Sequence, residues 1–197
     1  MGPYKETCGL TILGMEMRRV LKGFALVLAF GSSGAMAQGI DPFVGKFTGE
    51  SVQISGQDQS KRDLTVEISK SPDGKGFLVS WKTVIHKASG KDEEQPEDKV
   101  RFVATRRPNI FSAASRQDMF GKQVPIDPIS GKDPYYWARL SGKTLSVFNI
   151  IINDDGGYEM QVYHRSLTDD GGMKVEFQRI RDGVPQRIVT GILKRVK

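Results

Sequence analysis

Apolar and polar residues alternate along most of the chain after residue 40, whereas no stretch keeps the period of a helix for long. This alternation is typical of β-strands that bury one face and expose the other. Clusters of Gly, Asp, Asn, Ser and Pro separate the alternating stretches and favour tight turns. The pattern therefore predicts consecutive antiparallel strands. Outside the best hairpins, strands are predicted at residues 43–54, 99–106, 109–115 and 134–140.

The clearest predicted hairpin surrounds the turn at residues 71–76, which reads Ser-Pro-Asp-Gly-Lys-Gly. If Lys70 pairs with Phe77, the apolar residues of the two strands fall opposite each other and make one face apolar throughout. The predicted pairs on that face are Ile68 with Val79 and Val66 with Trp81.

Three further hairpins are predicted in the C-terminal third, with loops at residues 153–156, 169–172 and 182–183. The three predicted registers place the apolar residues of all four strands on the same face. This agreement supports the registers, because a shift of one residue would turn all the apolar residues of a strand to the other face. We therefore expect His164 to lie inside the fold beside Leu145. The predicted pairs include Leu145 with His164, Val147 with Val162, His164 with Phe177, and Phe177 with Ile188.

Strands in this number and order favour a closed structure, since an open meander would leave unpaired edges. The sequence predicts an all-β fold, a single antiparallel meander β-barrel of about 8–10 strands, in preference to a sandwich. Residues 115–133 resist strand assignment and are expected to hold a short helix or a lid.

The N-terminal part has the three features of an export signal. A cationic start at residues 17–22 precedes an apolar run at residues 23–30, and Ala35-Met36-Ala37 supplies a small-x-small cleavage motif. The run is too short to span a bilayer. We expect residues 1–37 to be an upstream extension and signal peptide, with Met17 as the natural start and cleavage after Ala37. An extended cationic segment from Met1 is the alternative, and in either case the protein is expected to be periplasmic or secreted.

Residues 38–197 suffice for one β-barrel domain with a sizeable core but are short for two domains. The single cysteine, Cys8, lies upstream of them, so no disulfide or thiol nucleophile is expected. The net charge of the whole chain is +6, and its charges are interspersed, which disfavours nucleic-acid binding. Polar residues at predicted outward positions, such as Glu159, Gln161 and Glu176, also disfavour a barrel inserted in the outer membrane.

Little in the sequence indicates catalysis or a metal. The two histidines, His86 and His164, have no histidine or cysteine partners at ligand spacing, and no Gly-x-Ser-x-Gly motif is present. The aspartate pairs at residues 154–155 and 169–170 directly precede glycines, so turn chemistry accounts for them. The sequence predicts no metal site, no cofactor and no catalytic residues, and it favours a non-enzymatic role.

Residues 134–139, Pro-Tyr-Tyr-Trp-Ala-Arg, are the best candidates for ligand contact, although aromatic packing is the simpler interpretation. Their facing depends on the next turn. A two-residue turn at residues 141–142 points Tyr136 inwards, whereas a three-residue loop points Trp137 inwards, beside Arg139, in a cavity suited to an anionic amphiphile. The candidate ligand-binding residues are Trp81, Tyr135, Trp137, Arg139, His164 and Phe177.

One predicted strand is apolar on both faces. Phe148, Ile150 and Ile152 lie opposite the face of Leu145 and Val147, so something should cover them. We expect residues 115–133 to cover them, and a protein partner is the alternative.

The triplet Gly45-Lys46-Phe47 opens the first predicted strand and precedes the meander of hairpins. In this arrangement the chain resembles the calycin group of barrels, which includes the lipocalins, although lipocalins carry tryptophan where Phe47 stands. The resemblance implies carriage of a small apolar or amphipathic ligand by an exported, non-enzymatic barrel. The alternative is a structural or interaction protein of the cell envelope with a filled barrel.

Overall fold

The computed structural model describes residues 39–55, 58–87, 89–117, 120, 123–124, 126–130 and 133–197. The predicted signal peptide and its cleavage site lie outside the described residues.

Most of the described residues belong to β-strands. Two 3-10 helices of one turn each, Asp41–Phe43 and Pro128–Ser130, accompany them, and no helix in this part of the chain is long and apolar enough to cross a membrane. In chain order the strands are β1 (Gly45–Ser55), β2 (Asp58–Lys70), β3 (Gly76–His86), β4 (Asp92–Glu94), β5 (Asp98–Ala104), β6 (Ile110–Ala113), β7 (Arg116–Gln117), β8 (Gln123–Val124), β9 (Tyr135–Ser141), β10 (Thr144–Ile152), β11 (Tyr158–Leu167), β12 (Met173–Arg181) and β13 (Val184–Arg195).

Ten of these strands form one closed antiparallel meander. β1, β2, β3, β5, β6, β9, β10, β11, β12 and β13 each pair with the next strand, and β13 pairs with β1 to complete the barrel. β4 adds to the far end of β3, and β7 pairs with β8 in a separate ribbon. The predicted all-β meander barrel is therefore confirmed.

The end of the barrel that carries the turns at residues 71–75, 142–143 and 168–172 is called the base, and the opposite end is called the mouth. Large apolar side chains fill the base, and Phe43 covers it from the first 3-10 helix. The fully buried side chains of this cluster include Phe43, Phe47, Ile68, Phe77, Phe102, Leu145, Met173 and Leu193. The core of the molecule therefore lies in the base half.

Arg195 joins the last strand to the segment before the first strand. Its guanidinium carbon lies 4.5 Å from the centroid of the Phe47 ring. Its Nη1 donates to the Val44 carbonyl at 2.6 Å, its Nη2 to the Pro42 carbonyl at 2.8 Å, and its Nε to the Gly171 carbonyl at 3.3 Å. One side chain thus caps three carbonyls at the edge of the base.

Replacement of Arg195 by methionine is expected to lower the free energy of unfolding by about 1–2 kcal/mol, because it removes charge-assisted hydrogen bonds and a cation–π contact at a partly solvated site. Urea denaturation measures the change. The control is Lys194→Met, which alters an exposed neighbour and is expected to stay within about 0.5 kcal/mol. Equal losses in the two variants would contradict the role given to Arg195.

The first predicted hairpin is confirmed residue for residue. Lys70 pairs with Phe77, and the pairs Ile68 with Val79 and Val66 with Trp81 follow in the register of β2 and β3. The turn closes through the Ser71 N–H, which donates to the Gly76 carbonyl at 2.9 Å.

The predicted register of β10 with β11 is wrong by one residue. The loop has five residues instead of four, since the Asn153 N–H donates to the Gly157 carbonyl at 2.8 Å. As a result Leu145 pairs with Arg165 and not with His164, and Val147 pairs with Tyr163 and not with Val162. The inner face of β11 therefore carries mainly polar side chains, including Arg165, Tyr163 and Gln161.

The same error recurs at the two following hairpins. The β11–β12 loop also has five residues, closed by the Thr168 N–H on the Gly172 carbonyl, so that Tyr163 pairs with Phe177. The predicted two-residue turn of β12–β13 is present, with Arg181 opposite Val184. A bulge just beyond that turn shifts the rest of the strand by one residue, so that Phe177 pairs with Val189 and not with Ile188.

The outward apolar residues of β10 are partly shielded from solvent. The 3-10 helix Pro128–Ser130, within the segment expected to hold a short helix or a lid, lies against β10. Phe148, Ile150 and Ile152 on this strand are half-buried.

Candidate functional site

The inner wall of the barrel changes from apolar at the base to polar toward the mouth. β11 shows the change most clearly: from base to mouth its inward residues are Leu167, Arg165, Tyr163, Gln161 and Glu159. The positions predicted to face outwards at Glu159 and Gln161 are therefore corrected to inward ones. The polar half of the barrel interior is the candidate site.

A cavity of about 480 Å³ occupies this half. Its volume lies within the range of about 300–1,000 Å³ found for small-molecule sites. Its apolar lining comes from Leu64, Val66, Ile85, Ile151, Val175, Phe177 and Val189. Its neutral polar lining includes Ser51, Thr83, Gln95, Tyr136, Asn149, Gln161 and Tyr163.

Arg165 is the most unusual residue of the cavity wall, because it is charged and only 3% exposed. Its guanidinium carbon lies 5.2 Å from the ring centroid of Trp81 and 5.2 Å from that of Tyr163. Its Nη1 is buried and makes no hydrogen bond. Burial lowers the pKa of Arg165 to about 10, so the group keeps its proton at neutral pH. The cavity wall therefore contains a fixed positive charge with an unused donor.

Two more arginines line the same cavity. Arg62 and Arg187 are half-buried, and the Nε of each is buried without a hydrogen bond. Burial lowers the pKa of Arg62, and the charge of Arg187 lowers it further. Burial likewise lowers the pKa of Arg187, with a contribution from the charge of Arg179. Like charges thus gather on this wall at a cost in electrostatic free energy.

The carboxylates of the cavity already have partners. Arg179 forms an ion pair with Glu159. Burial acts to raise the pKa of Glu159, but hydrogen bonds from Arg179 and Gln161 outweigh it, and the pKa lies below its usual value. Burial raises the pKa of Asp98, although a hydrogen bond from the Trp81 indole opposes the shift. Glu176, the third carboxylate of the lining, pairs with Lys174, so among the described residues none of the three carboxylates forms an ion pair with the three lining arginines.

A hydrogen-bonded network holds the polar wall in place. The Tyr163 hydroxyl donates to Gln161 Oε1 at 2.6 Å, and Gln161 Nε2 donates to Glu159 Oε1 at 2.9 Å. Asn149 Nδ2 donates to the same Gln161 oxygen at 3.3 Å. The carboxamides of Asn149 and Gln161 thus form hydrogen bonds within the wall. These bonds hold the ring of Tyr163 in place, and Arg165 packs against that ring.

The structure divides the six residues predicted to contact a ligand. Trp81 and Phe177 lie on the inner wall and line the cavity. Tyr135, Trp137 and Arg139 lie on the outer face, since Tyr136 between them points inwards. This is the facing expected from a two-residue turn, although the turn residues are 142–143 rather than 141–142.

His164 is among the residues that line the cavity, but its predicted inward position opposite Leu145 is wrong. His164 belongs to the wall strand, but its Nδ1 lies 2.9 Å from the hydroxyl of Ser146, its cross-strand neighbour on the outer face. Its ring meets the ring of Phe148 edge to face, with centroids 6.2 Å apart. The one-residue change in register is the physical reason, because it turns every side chain of β11 to the other face.

Sequence reasoning missed the arginines of the cavity. Arg165 and Arg187 lie on strands whose register was shifted, and the apolar residues Met160 and Val162 offered a plausible inward set. Arg62 follows the correct alternation of β2, as Leu64, Val66 and Ile68 are inward, and extending that pattern by one step would have found it.

Comparison of this chain with protein-family models and with curated protein sequences gives no match. The ten-stranded antiparallel barrel fits the general calycin-like architecture. Function is therefore inferred from the cavity itself.

His86 forms a separate polar cluster near the mouth. Its Nδ1 lies 2.9 Å from Asp92 Oδ1, and its Nε2 lies 3.2 Å from Asp63 Oδ2. The hydrogen bond to Asp92 and the weaker influence of Asp63 raise the pKa of His86 above its usual value.

An NMR titration is expected to place the pKa of His86 above that of an unfolded histidine, and Asp92→Asn is expected to lower it. Since the folded-state pKa is raised, this cluster stabilises the fold fully below the unfolded pKa and loses that contribution as pH rises through the folded pKa. The control Asp154→Asn, in an exposed loop, should leave the titration unchanged. An unchanged titration in Asp92→Asn would contradict the assignment.

Proposed function

We propose that this barrel binds a small amphipathic molecule in its cavity and has no catalytic role. The observation that carries the proposal is the 480 Å³ cavity, whose lining contains both apolar and polar residues. A wholly apolar ligand would leave the polar lining without partners, and that costs free energy. The mixed lining favours an amphipathic ligand.

The alternative, a filled barrel with a structural or docking role, is favoured less. Such a barrel would pack its interior around Trp81 and Phe177, whereas both side chains line the cavity. The architecture also supports kinship with the calycin group, whose members include ligand carriers. That resemblance rests on Gly45 and Phe47, which lie at the base. Gly45 needs to be glycine there, because a Cβ on this residue would collide with Arg195 Nη1.

Export belongs to the same proposal. Its support is the cationic start, apolar run and small-x-small motif within residues 17–37. Mass spectrometry of the exported protein is expected to find Gln38 as the N-terminal residue. An intact terminus at Met1 or Met17 would contradict cleavage.

Tryptophan fluorescence tests ligand binding directly, because the chain has two tryptophans and one of them, Trp81, lines the cavity. In the full chain carrying Trp137→Phe, titration with decanoate and decanol is expected to give a saturable change in Trp81 emission. The matched variant Trp81→Phe retains only the outer Trp137 and should show no saturable change. Constant emission of the Trp137→Phe variant with octyl, decyl and dodecyl compounds would contradict the proposal. A saturable change seen only in the Trp81→Phe variant, which reports Trp137, would contradict it as well.

A further inference from the structure

Within the described part of the chain, the arginines that line the cavity form no ion pair with the carboxylates that line it. Glu159 is paired with Arg179 and Glu176 with Lys174, and the Trp81 indole acts to lower the pKa of Asp98. Arg165, by contrast, is not among the ion pairs formed within the described part of the chain, and its Nη1 has no hydrogen-bond partner. A buried charge left in this condition is costly, and a ligand of opposite charge would relieve that cost.

Arg165 is also held in a fixed geometry. Trp81 and Tyr163, whose ring centroids are 5.0 Å apart, both contact its guanidinium. Tyr163 is fixed in turn by its hydrogen bond to Gln161. A donor held in this way loses little freedom on binding, which is the condition for tight recognition of an oxoanion by a guanidinium.

The position of Arg165 sets the orientation of a bound molecule. Arg165 pairs with Leu145, a residue of the apolar cluster at the base, so it lies at the deep end of the polar wall. Ile85 and Ile151 lie toward the mouth on β3 and β10 and line the same cavity. A head group at Arg165 therefore directs the tail past these two isoleucines toward the mouth, where their cross-strand neighbours are Arg62 and Glu159.

We infer that the ligand of the proposed site carries an oxoanion head group, carboxylate or phosphate, which enters first and binds Arg165. This inference rests on the proposed function. Arg62 and Arg187 add positive charge on the mouth side of the cavity, which favours entry of an anion.

Calorimetric titration of the full chain with four decyl compounds tests the inference: decanoate, decyl phosphate, decanol and decyltrimethylammonium. The two anions are expected to bind at least tenfold more tightly than decanol, and the cation least tightly. The ratio of decanoate to decyl phosphate affinity identifies the preferred head group. Equal affinity for decanol and both anions would overturn the inference and leave the proposed function standing, whereas absence of binding by all four would overturn both.

Variants then locate the head group. Arg165→Met should lose at least tenfold in affinity for the anions and change decanol affinity less than twofold. Arg165→Lys should retain part of the preference, since it keeps a charge but not the fork of donors, and it decides the matter if the methionine variant fails to fold. Arg139→Met, on the outer face, is the control and should bind like the unaltered chain. A larger loss of anion affinity in Arg62→Met or Arg187→Met than in Arg165→Met would overturn the assignment to Arg165.

Discussion

Replacing Arg165 by methionine is expected to raise the free energy of unfolding of the barrel, on the order of 1 kcal/mol or more. The change removes a buried charge whose Nη1 makes no hydrogen bond. Methionine has a similar stem and makes favourable contacts with aromatic rings, so it can fill the space against Trp81 and Tyr163. The loss of two cation–π contacts opposes the gain, but it is smaller than the cost of keeping the charge buried. Chemical denaturation at neutral pH, without ligand, measures the difference.

Arg139→Met provides the matched control, because Arg139 is exposed on the outer face of β9. Its effect should stay within about 0.5 kcal/mol. If Arg165→Met lowered the stability by more than this control, Arg165 would be a compensated structural residue, and the case for an anionic ligand would lose its basis.

Substitution of Gly76 by alanine is expected to destabilise the fold by about 3 kcal/mol or more, the size of effect associated with overpacking against backbone. A Cβ on this residue would collide with the carbonyl oxygen of Phe102 and lie 2.9 Å from its carbonyl carbon. β3 and β5 cannot separate there without disturbing the base, where the rings of Phe77 and Phe102 stack with centroids 5.2 Å apart. Thermal or urea denaturation measures the loss.

The control for this substitution is Gly39→Ala. A Cβ on Gly39 would meet only Asp41 Oδ2, at an ordinary contact distance of 3.7 Å. Its effect should be small. Similar losses at Gly39 and Gly76 would contradict the close approach of β3 to β5 as the cause, because the entropy of the unfolded chain alone favours alanine over glycine.

The sequence was most informative where turn chemistry and apolar pattern agreed. The turn at residues 71–76 supplies its own proline, aspartate and glycines, and both flanking strands alternate cleanly, so the register of β2 with β3 followed directly. The closed meander followed from the number of such strands. Neither conclusion required knowledge of what the barrel encloses.

The predicted registers of the last four strands were wrong for two physical reasons. Asn153 and Thr168 each begin a five-residue loop, one residue longer than expected, and the bulge beyond the β12–β13 turn leaves no mark in the alternation. In addition, the prediction assumed an apolar interior. β11 breaks that assumption, because it places Arg165, Tyr163 and Gln161 inside and Val162 outside.

The polar residues that lie inside the barrel, contrary to the assumption of an apolar interior, are those of the candidate site. Polar residues in an interior lower stability unless something else selects for them, and functional sites are where such exceptions concentrate. By contrast, the aromatic segment favoured from the sequence serves packing: Trp137 stacks on Phe148 on the outer face, with centroids 5.0 Å apart and planes at 11°. Trp137 therefore lies away from the cavity, in agreement with the simpler interpretation of this segment as aromatic packing, whereas Arg165 lines the cavity.

Binding of an anion by Arg165, deep in the barrel, is tested most directly by a crystal structure of the full chain with 11-bromoundecanoate. Anomalous scattering locates the bromine, and electron density locates the carboxylate. We expect the carboxylate within hydrogen-bond distance of the Arg165 guanidinium and the bromine toward the mouth, near Ile85 and Ile151. A carboxylate seated at Arg62 and Arg187, or a ligand bound outside beside Trp137, would contradict this placement.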